Sequence, residues 1–258
     1  MTNVIIKFSR FTFIIKDYLR LLLNWAFGSG CCIVCGKETV YGDICKKCRQ
    51  ELLLKAKETS SLERCSVCGK ILLSENNICM DCRKERIIFS CDKVFSIFPY
   101  RLWAKNLMFQ WKMLERRGLS PFIAMLCSNA IKTQFGTECH FIVPVPPRNG
   151  KIRKKGWEQI DELCRYLETN YGYKILKLLK RKGNIQQKKL ARKERLENSA
   201  EKYSLSEKAL KLKRENLPQR VILIDDVMTT GITVESCAKA LKSLGIKKVD
   251  ALTVFIVD

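Results

Sequence analysis

Eight cysteines in four C-x2-C pairs dominate the amino-terminal third of this 258-residue chain: Cys32/Cys35, Cys45/Cys48, Cys65/Cys68 and Cys79/Cys82. The second half of this block repeats the first. Val34-Cys35-Gly36-Lys37 recurs as Val67-Cys68-Gly69-Lys70, and Ile44-Cys45-Lys46-Lys47-Cys48-Arg49 recurs as Ile78-Cys79-Met80-Asp81-Cys82-Arg83. Two residues between cysteines let a tight turn bring both sulfurs to one ion, and the Gly after each leading pair permits the positive φ such turns need. Two turns supply four thiolates in a tetrahedron, which suits Zn²⁺. Segments this short cannot bury a core, so the metal must supply folding energy. The expectation is two structural Zn²⁺ sites over residues 31–90. A disulfide scaffold and an iron–sulfur cluster are the alternatives, the first disfavoured by the metal-like rhythm and the absence of a secretory pattern. Cys31 abuts the first pair and could compete as a ligand. Cys91, Cys127, Cys139, Cys164 and Cys237 lie in mostly apolar settings and read as buried thiols of a reducing, cytoplasmic compartment.

Charge narrows the partners. The chain carries 48 Lys and Arg against 26 Asp and Glu, a formal net charge of +22. Such a surplus points to a polyanion: nucleic acid, a phosphorylated substrate or an anionic membrane face. From Arg148 to Arg195 there are 16 basic against 5 acidic residues, so half the surplus lies in one stretch. Most of it reads as a solvated basic face. A single-stranded nucleic-acid groove is a further reading, although aromatic residues are sparse there. No apolar run approaches the roughly 20 residues that span a bilayer, which excludes a channel or transporter. Residues 11–27 place Thr12, Lys16, Asp17, Arg20 and Asn24 at a period near four, so residues 1–30 are expected to form an amphipathic helix with a wide apolar face. It packs on the rest of the protein or makes a peripheral membrane contact.

The most informative stretch runs from Val221 to Leu244. Val221–Ile224 reads as a buried parallel strand. Asp225 and Asp226 follow at its carboxyl end, then Thr229-Thr230-Gly231-Ile232-Thr233, then an amphipathic helix from about Val234 to Leu244 closed by Gly245. Residues 249–257 read as the next strand. Amide groups at a helix start bind anions, and Gly231 lets the backbone approach one closely. Adjacent carboxylates at the carboxyl edge of an α/β sheet can accept from vicinal ribose hydroxyls, directly or through Mg²⁺. Upstream, 141–147 reads as a strand ending in a Val-Pro-Val-Pro-Pro loop. Residues 199–220 read as a charged helical surface segment without a functional role, and His140 as structural.

The run from Val221 to Thr233 resembles the phosphoribosyl pyrophosphate (PRPP) signature of type I phosphoribosyltransferases. That resemblance implies that Asp225 and Asp226 hold the ribose hydroxyls and that Thr229, Thr230, Gly231, Ile232 and Thr233 wrap the 5-phosphate. It also implies that Val145, Pro146, Arg148 and Arg181 meet the pyrophosphate, with Lys182 as an alternative cation. The double cysteine module, the Val-Pro-Val-Pro strand, Gly156-Trp157-Glu158-Gln159, the stretch through Gln187, Leu190, Arg195 and Asn198, and the PRPP motif together resemble the ComF family. Tyr100-Arg101 and the helix through Lys112 resemble that family's entry into the transferase domain. The resemblance implies a type I phosphoribosyltransferase fold, α/β with a parallel sheet, over residues 91–258, and a flap carrying Gln187, Arg195 and Asn198. It also implies a role in natural competence, with PRPP, Mg²⁺, single-stranded DNA and a helicase-type protein as partners. Two functions remain open at this level: transfer of a phosphoribosyl group to an unnamed acceptor, or a non-catalytic zinc-ribbon adaptor that keeps the transferase fold as a PRPP sensor.

Overall fold

A computed structural model describes residues 30–39, 43–147, 157–181 and 202–257, together with Ile15, Leu19 and Leu22. Arg148, Gly156, Lys182, Gln187, Leu190, Arg195 and Asn198 lie outside the described residues, as does most of the expected 11–27 helix. Ile15, Leu19 and Leu22 are helical and exposed. No helix among the described residues is long and apolar enough to cross a membrane.

The centre is a five-stranded parallel sheet. Its strands are β3 (Lys93–Pro99), β4 (Phe141–Pro144), β5 (Lys174–Ile175), β8 (Arg220–Met228) and β9 (Lys248–Ile256), in the order β3-β9-β8-β4-β5. Two short pairs lie outside it: β1 (Gly30–Cys31) with β2 (Glu38–Thr39), and β6 (Leu179–Arg181) with β7 (Tyr203–Leu205), both antiparallel. The largely apolar runs 221–224 and 251–256 form strands because both faces of the sheet are covered, and the buried Thr253 hydroxyl is paired with that of Ser96. Alternation sorts the side chains between two cores. Ile222 and Ile224 point to one, Val221 and Leu223 to the other.

The first core lies under α1 (Lys46–Ser60), α4 (Ser120–Phe135) and α5 (Gln159–Tyr171), and includes Leu52, Phe122, Ile123, Leu163 and Leu167. The second lies under α7 (Ile232–Leu244) and the β6–β7 ribbon, with Val234, Cys237, Leu241, Leu179 and Tyr203. Of the shorter helices, α2 (Met80–Lys84) carries Cys82 of the second module, α3 (Leu102–Met108) adds Ala104 and Leu107 to the first core, and α6 (Glu207–Leu210) adds Ala209 to the second.

Connectivity positions the crevice. From β4 the chain passes through α5 on one face to β5; from β8 it passes through α7 on the other face to β9. The winding therefore reverses between β4 and β8, and open α/β sheets bind ligands at the carboxyl ends of strands at such a point. Asp225 and Asp226 on β8 and the Val145–Pro147 loop after β4 lie there.

Three expectations are corrected. The strand carrying the aspartates does not stop at Ile224: it runs to Met228 because Asp225 and Val227 still pair with Thr253 and Phe255 of β9. The following helix begins at Ile232, two residues early. Residues 199–220 are not one helix: among those described, Tyr203–Leu205 is a strand that pairs with Leu179–Arg181. Of the scattered cysteines, Cys127, Cys139, Cys164 and Cys237 are buried as expected, while Cys91 is half-buried.

The duplicated cysteine modules sit on opposite sides of the sheet. Ile33, Val34 and Ile44 of the first pack against the α4 core. Cys65, Val67, Leu72 and Cys79 of the second join the α7 core with Val94, Met228 and Ile256. Arg64 lays its guanidinium over Phe95, 4.3 Å from the ring centroid. The helix α1 bridges the modules, and Thr59 donates its hydroxyl to the Ile97 carbonyl on the edge strand β3 at 2.9 Å.

Candidate functional site

Each module gathers its four sulfurs. Cys32, Cys35, Cys45 and Cys48 form one group and Cys65, Cys68, Cys79 and Cys82 the other, with the ligand atoms of each within 4.8 Å of one another. A tetrahedral Zn²⁺ with bonds of about 2.3 Å separates its sulfurs by roughly 3.8 Å. Cys35 and Cys45 lie 3.8 Å apart, and Cys68 and Cys79 3.7 Å. The donor set and spacing therefore fit Zn²⁺, and Cys31 is exposed and outside the group. Backbone amides aim at the sulfurs, as from Cys45 N to Cys32 Sγ at 3.3 Å. Burial alone would raise the Cys32 thiol, but the amides of Cys45, Cys35 and Val34 outweigh it and draw it down to about 7. Cys65 is brought down to about 7 in the same way by Cys68, Cys79 and Val67. Each module thus presents a thiolate ready for a cation near neutral pH.

At the switch point a cavity of 440 Å³ is lined by Asp225, Asp226, Val145, Pro146, Arg181 and Thr233, all singled out from the sequence. Lys112, Gln159 and Tyr203 also line it. Asp226 is buried, and its Oδ2 accepts from Lys112 Nζ at 2.5 Å and from Gln159 Nε2 at 2.5 Å. Its amide donates to Asp225 Oδ1 at 2.8 Å. Asp225 is pushed well above the ordinary carboxylate range, first by desolvation and then by the negative charge of Asp226, against a smaller opposing effect of Lys112. Two neighbouring carboxylates that resist joint ionisation form a site waiting for a cation or for hydroxyl donors. Hard oxygen donors of this kind suit Mg²⁺.

The Gly-Trp-Glu-Gln step acquires a physical role. Glu158 caps α5, its carboxylate accepting from the amides of Ile160 and Asp161 at 2.7 and 2.9 Å. Gln159, one residue into the helix, then faces Asp226. Trp157 is buried, and Arg117 lies 5.2 Å from its ring centroid. Lys112 was missed as a site residue. It sits on the π-helical turn Phe109–Met113, and such turns insert a residue that re-aims its neighbours. Trp111 anchors that turn: its indole N–H donates to Ser120 Oγ at 3.0 Å, which donates to Glu162 at 2.7 Å. Trp111→Phe should cost about 1–2 kcal/mol by orphaning this buried relay, measured by urea unfolding. Tyr203, from the segment read as uninformative, has its hydroxyl raised mainly by burial and bonded to Thr233. The Arg181 guanidinium lies 5.6 Å from its ring centroid.

The Thr-Thr-Gly-x-Thr loop is shared between two cavities. Thr233 faces the first, whereas Thr229 and Thr230 line a second of 320 Å³ whose far wall includes Cys68, Lys70 and Cys82 of the second module. Gly231 adopts φ +83, the left-handed conformation glycine tolerates, just before α7.

A parallel sheet with an acidic pair at its switch point, a threonine–glycine turn into the next helix and appended four-cysteine modules is a type I phosphoribosyltransferase fold joined to zinc-ribbon-like modules. No family model matches the chain. It is 27% identical to Competence protein F of Haemophilus influenzae over 202 residues, covering 75% of this chain and 84% of that protein. It is 26% identical to Competence protein ComFC of Bacillus subtilis, over 78% of this chain and 79% of that protein. A Competence protein ComFC of Streptococcus pneumoniae is 27% identical over 72% of this chain and 78% of its own length. The chain is thus similar to ComF and ComFC competence proteins over about three quarters of its length.

Proposed function

We propose that the 440 Å³ cavity binds PRPP with Mg²⁺ and that the chain acts in natural competence, in the handling of incoming single-stranded DNA. The observation that carries the first part is the acidic pair at the β4–β8 switch point, adjoining the amino terminus of α7. The ribose 2- and 3-hydroxyls would donate to Asp225 and Asp226, with Lys112 and Gln159 fixing the Asp226 carboxylate in place. The 5-phosphate would lie against the Thr229–Thr233 turn at the start of α7, of which Thr233 lines this cavity. The pyrophosphate would sit at Val145 and Pro146, with Arg181, and Arg148 from outside the described residues, as its cations. Gln187, Arg195 and Asn198, which the family resemblance assigns to a flap, lie outside the described residues. Mg²⁺ would neutralise the pyrophosphate and orient the ribose oxygens. If an acceptor attacks C1, the C1–oxygen bond to pyrophosphate breaks with inversion and pyrophosphate carries away the electron pair. The protein then acts by positioning and by stabilising leaving-group charge.

The competence role is supported by the names of the three relatives and by the net charge of +22. A basic, cytoplasmic protein of this kind would meet single-stranded DNA and a helicase-type partner, with affinity falling steeply as salt rises. The test is calorimetric titration of Mg²⁺ and PRPP into the zinc-loaded full chain. Saturable binding that disappears in Asp225→Asn/Asp226→Asn, with an unchanged circular dichroism spectrum, is expected. Equal binding by that variant would remove the acidic pair from the site. A screen of acceptor bases for pyrophosphate release then separates an enzyme from a sensor.

A further inference from the structure

The loop from Thr229 to Thr233 leans on the second cysteine module. A strap, residues 85–92, runs from the last cysteine of that module to β3. Ile88 in the strap packs so closely on Gly231 that a Cβ added there would lie 2.7 Å from Ile88 Cδ1. Glu235, in the first turn of α7, accepts from Phe89 N and Ser90 N at 2.8 Å each and from the Ser90 hydroxyl at 2.7 Å. The Glu235 amide in turn donates to the Gly231 carbonyl at 2.9 Å. The module itself is seated on the sheet through Cys65, Val67 and Cys79. Among the described residues, the first module packs against the other core, through Ile33, Val34 and Ile44, with Asp43 beside Gly118.

We propose that metal binding at the Cys65–Cys82 cluster controls the affinity of the Thr229–Thr233 loop for phosphate, with the strap as the connection and Glu235 as the positioning residue that responds. This deepens the PRPP reading and rests on it. The free amides at the start of α7 attract negative charge. Glu235 belongs to that turn, and its carboxylate is engaged by three donors from the strap. A module without its metal cannot hold itself folded. The strap then loses its anchor, Ile88 leaves Gly231, and the released Glu235 carboxylate competes with an incoming phosphate for the same amides. Metal loading therefore favours phosphate binding without contributing any atom to it.

The test uses the full chain with both metals and two readouts: PRPP–Mg²⁺ affinity by calorimetry, and amide hydrogen exchange across residues 229–235. Ile88→Ala/Ser90→Ala retains all eight cysteines and should keep its zinc content, yet weaken PRPP about tenfold or more and speed exchange in the loop to a similar degree. Adding Glu235→Gln should restore part of that affinity, because a neutral side chain no longer competes. Cys68→Ser/Cys82→Ser should reproduce the strap variant, and the matching change at Cys35 and Cys48 should weaken binding far less. Phe89→Ala, which leaves the backbone donor in place, should behave as wild type. The proposal is overturned if the metal-loaded strap variant binds and exchanges as wild type, or if loss of either cluster has equal effect. A wild-type chain that does not bind PRPP defeats the PRPP reading alone, since the exchange measurement still decides the coupling.

Discussion

Gly69→Ala is expected to destabilise the protein by about 2–5 kcal/mol, whereas Gly36→Ala, the same change in the sister module, costs about 1–2 kcal/mol. Both glycines have φ +73, so both substitutions carry the strain of a left-handed residue with a Cβ. Their surroundings differ. A Cβ at Gly36 meets nothing within 4 Å, but at Gly69 it would lie 2.4 Å from the carbonyl oxygen of Val94. That oxygen belongs to the backbone of β3 and cannot swing aside as a side chain would. The second module must lift off the sheet or push β3 away from it. Chemical denaturation with zinc quantification of both variants decides the matter. Equal costs would mean that the module is not seated on Val94.

Asp225→Asn should do two opposite things: abolish PRPP–Mg²⁺ binding and raise stability at neutral pH. Desolvation and the Asp226 charge lift the carboxyl above its unfolded value. The folded state therefore holds a proton that the unfolded chain gives up. This stabilisation is fully present below the unfolded pKa near 3.9 and is lost as pH rises through the raised folded value. An asparagine does not ionise, so it escapes the loss. The variant's advantage should be absent in acid and grow toward neutrality, each kcal/mol appearing as about 2–4 °C in Tm for a chain of this size. Thermal melts of both proteins from pH 4 to 8 test it, and a variant less stable at pH 8 would contradict it. The same physics predicts proton release when Mg²⁺ and PRPP bind, seen as a buffer-dependent heat.

The parts of the molecule written in local chemistry were legible beforehand. Four C-x2-C pairs announce two clusters because a turn of two residues is enough to converge sulfurs. The run from Val221 to Thr233 announces strand, acidic pair and anion-binding turn because each residue type there serves a local need. What could not be read depends on residues distant in sequence. Lys112 is an ordinary lysine until the π turn and the Trp111–Ser120–Glu162 relay aim it at Asp226. Gln159 stood out, but its partner 67 positions away did not. Tyr203 sits in a three-residue strand flanked by charged residues, too short for its alternation to register and visible only beside Leu179–Arg181. The modules' opposite placement was equally hidden. Both share one cysteine rhythm, and they are told apart by packing, Gly69 against Val94 in the second and Ile33, Val34 and Ile44 against the α4 core in the first.

The strand order has a consequence for how the molecule assembles. Among the described residues the edge strand β3 pairs with β9 alone, and the buried hydroxyls of Ser96 and Thr253 that join them at 2.6 Å are 157 positions apart. On the ribosome, β3 and the docking face for the second module emerge long before β9 is synthesised. At typical rates of about 5–20 residues per second this leaves roughly 7–30 s with an unpaired apolar strand. The cysteine clusters need only contacts within their own short stretches and can close in that interval. An early metal-bound module could then shelter residues around Val94 until their partner arrives, so that scarcity of zinc would show first as aggregation during synthesis rather than as a poorly active finished protein.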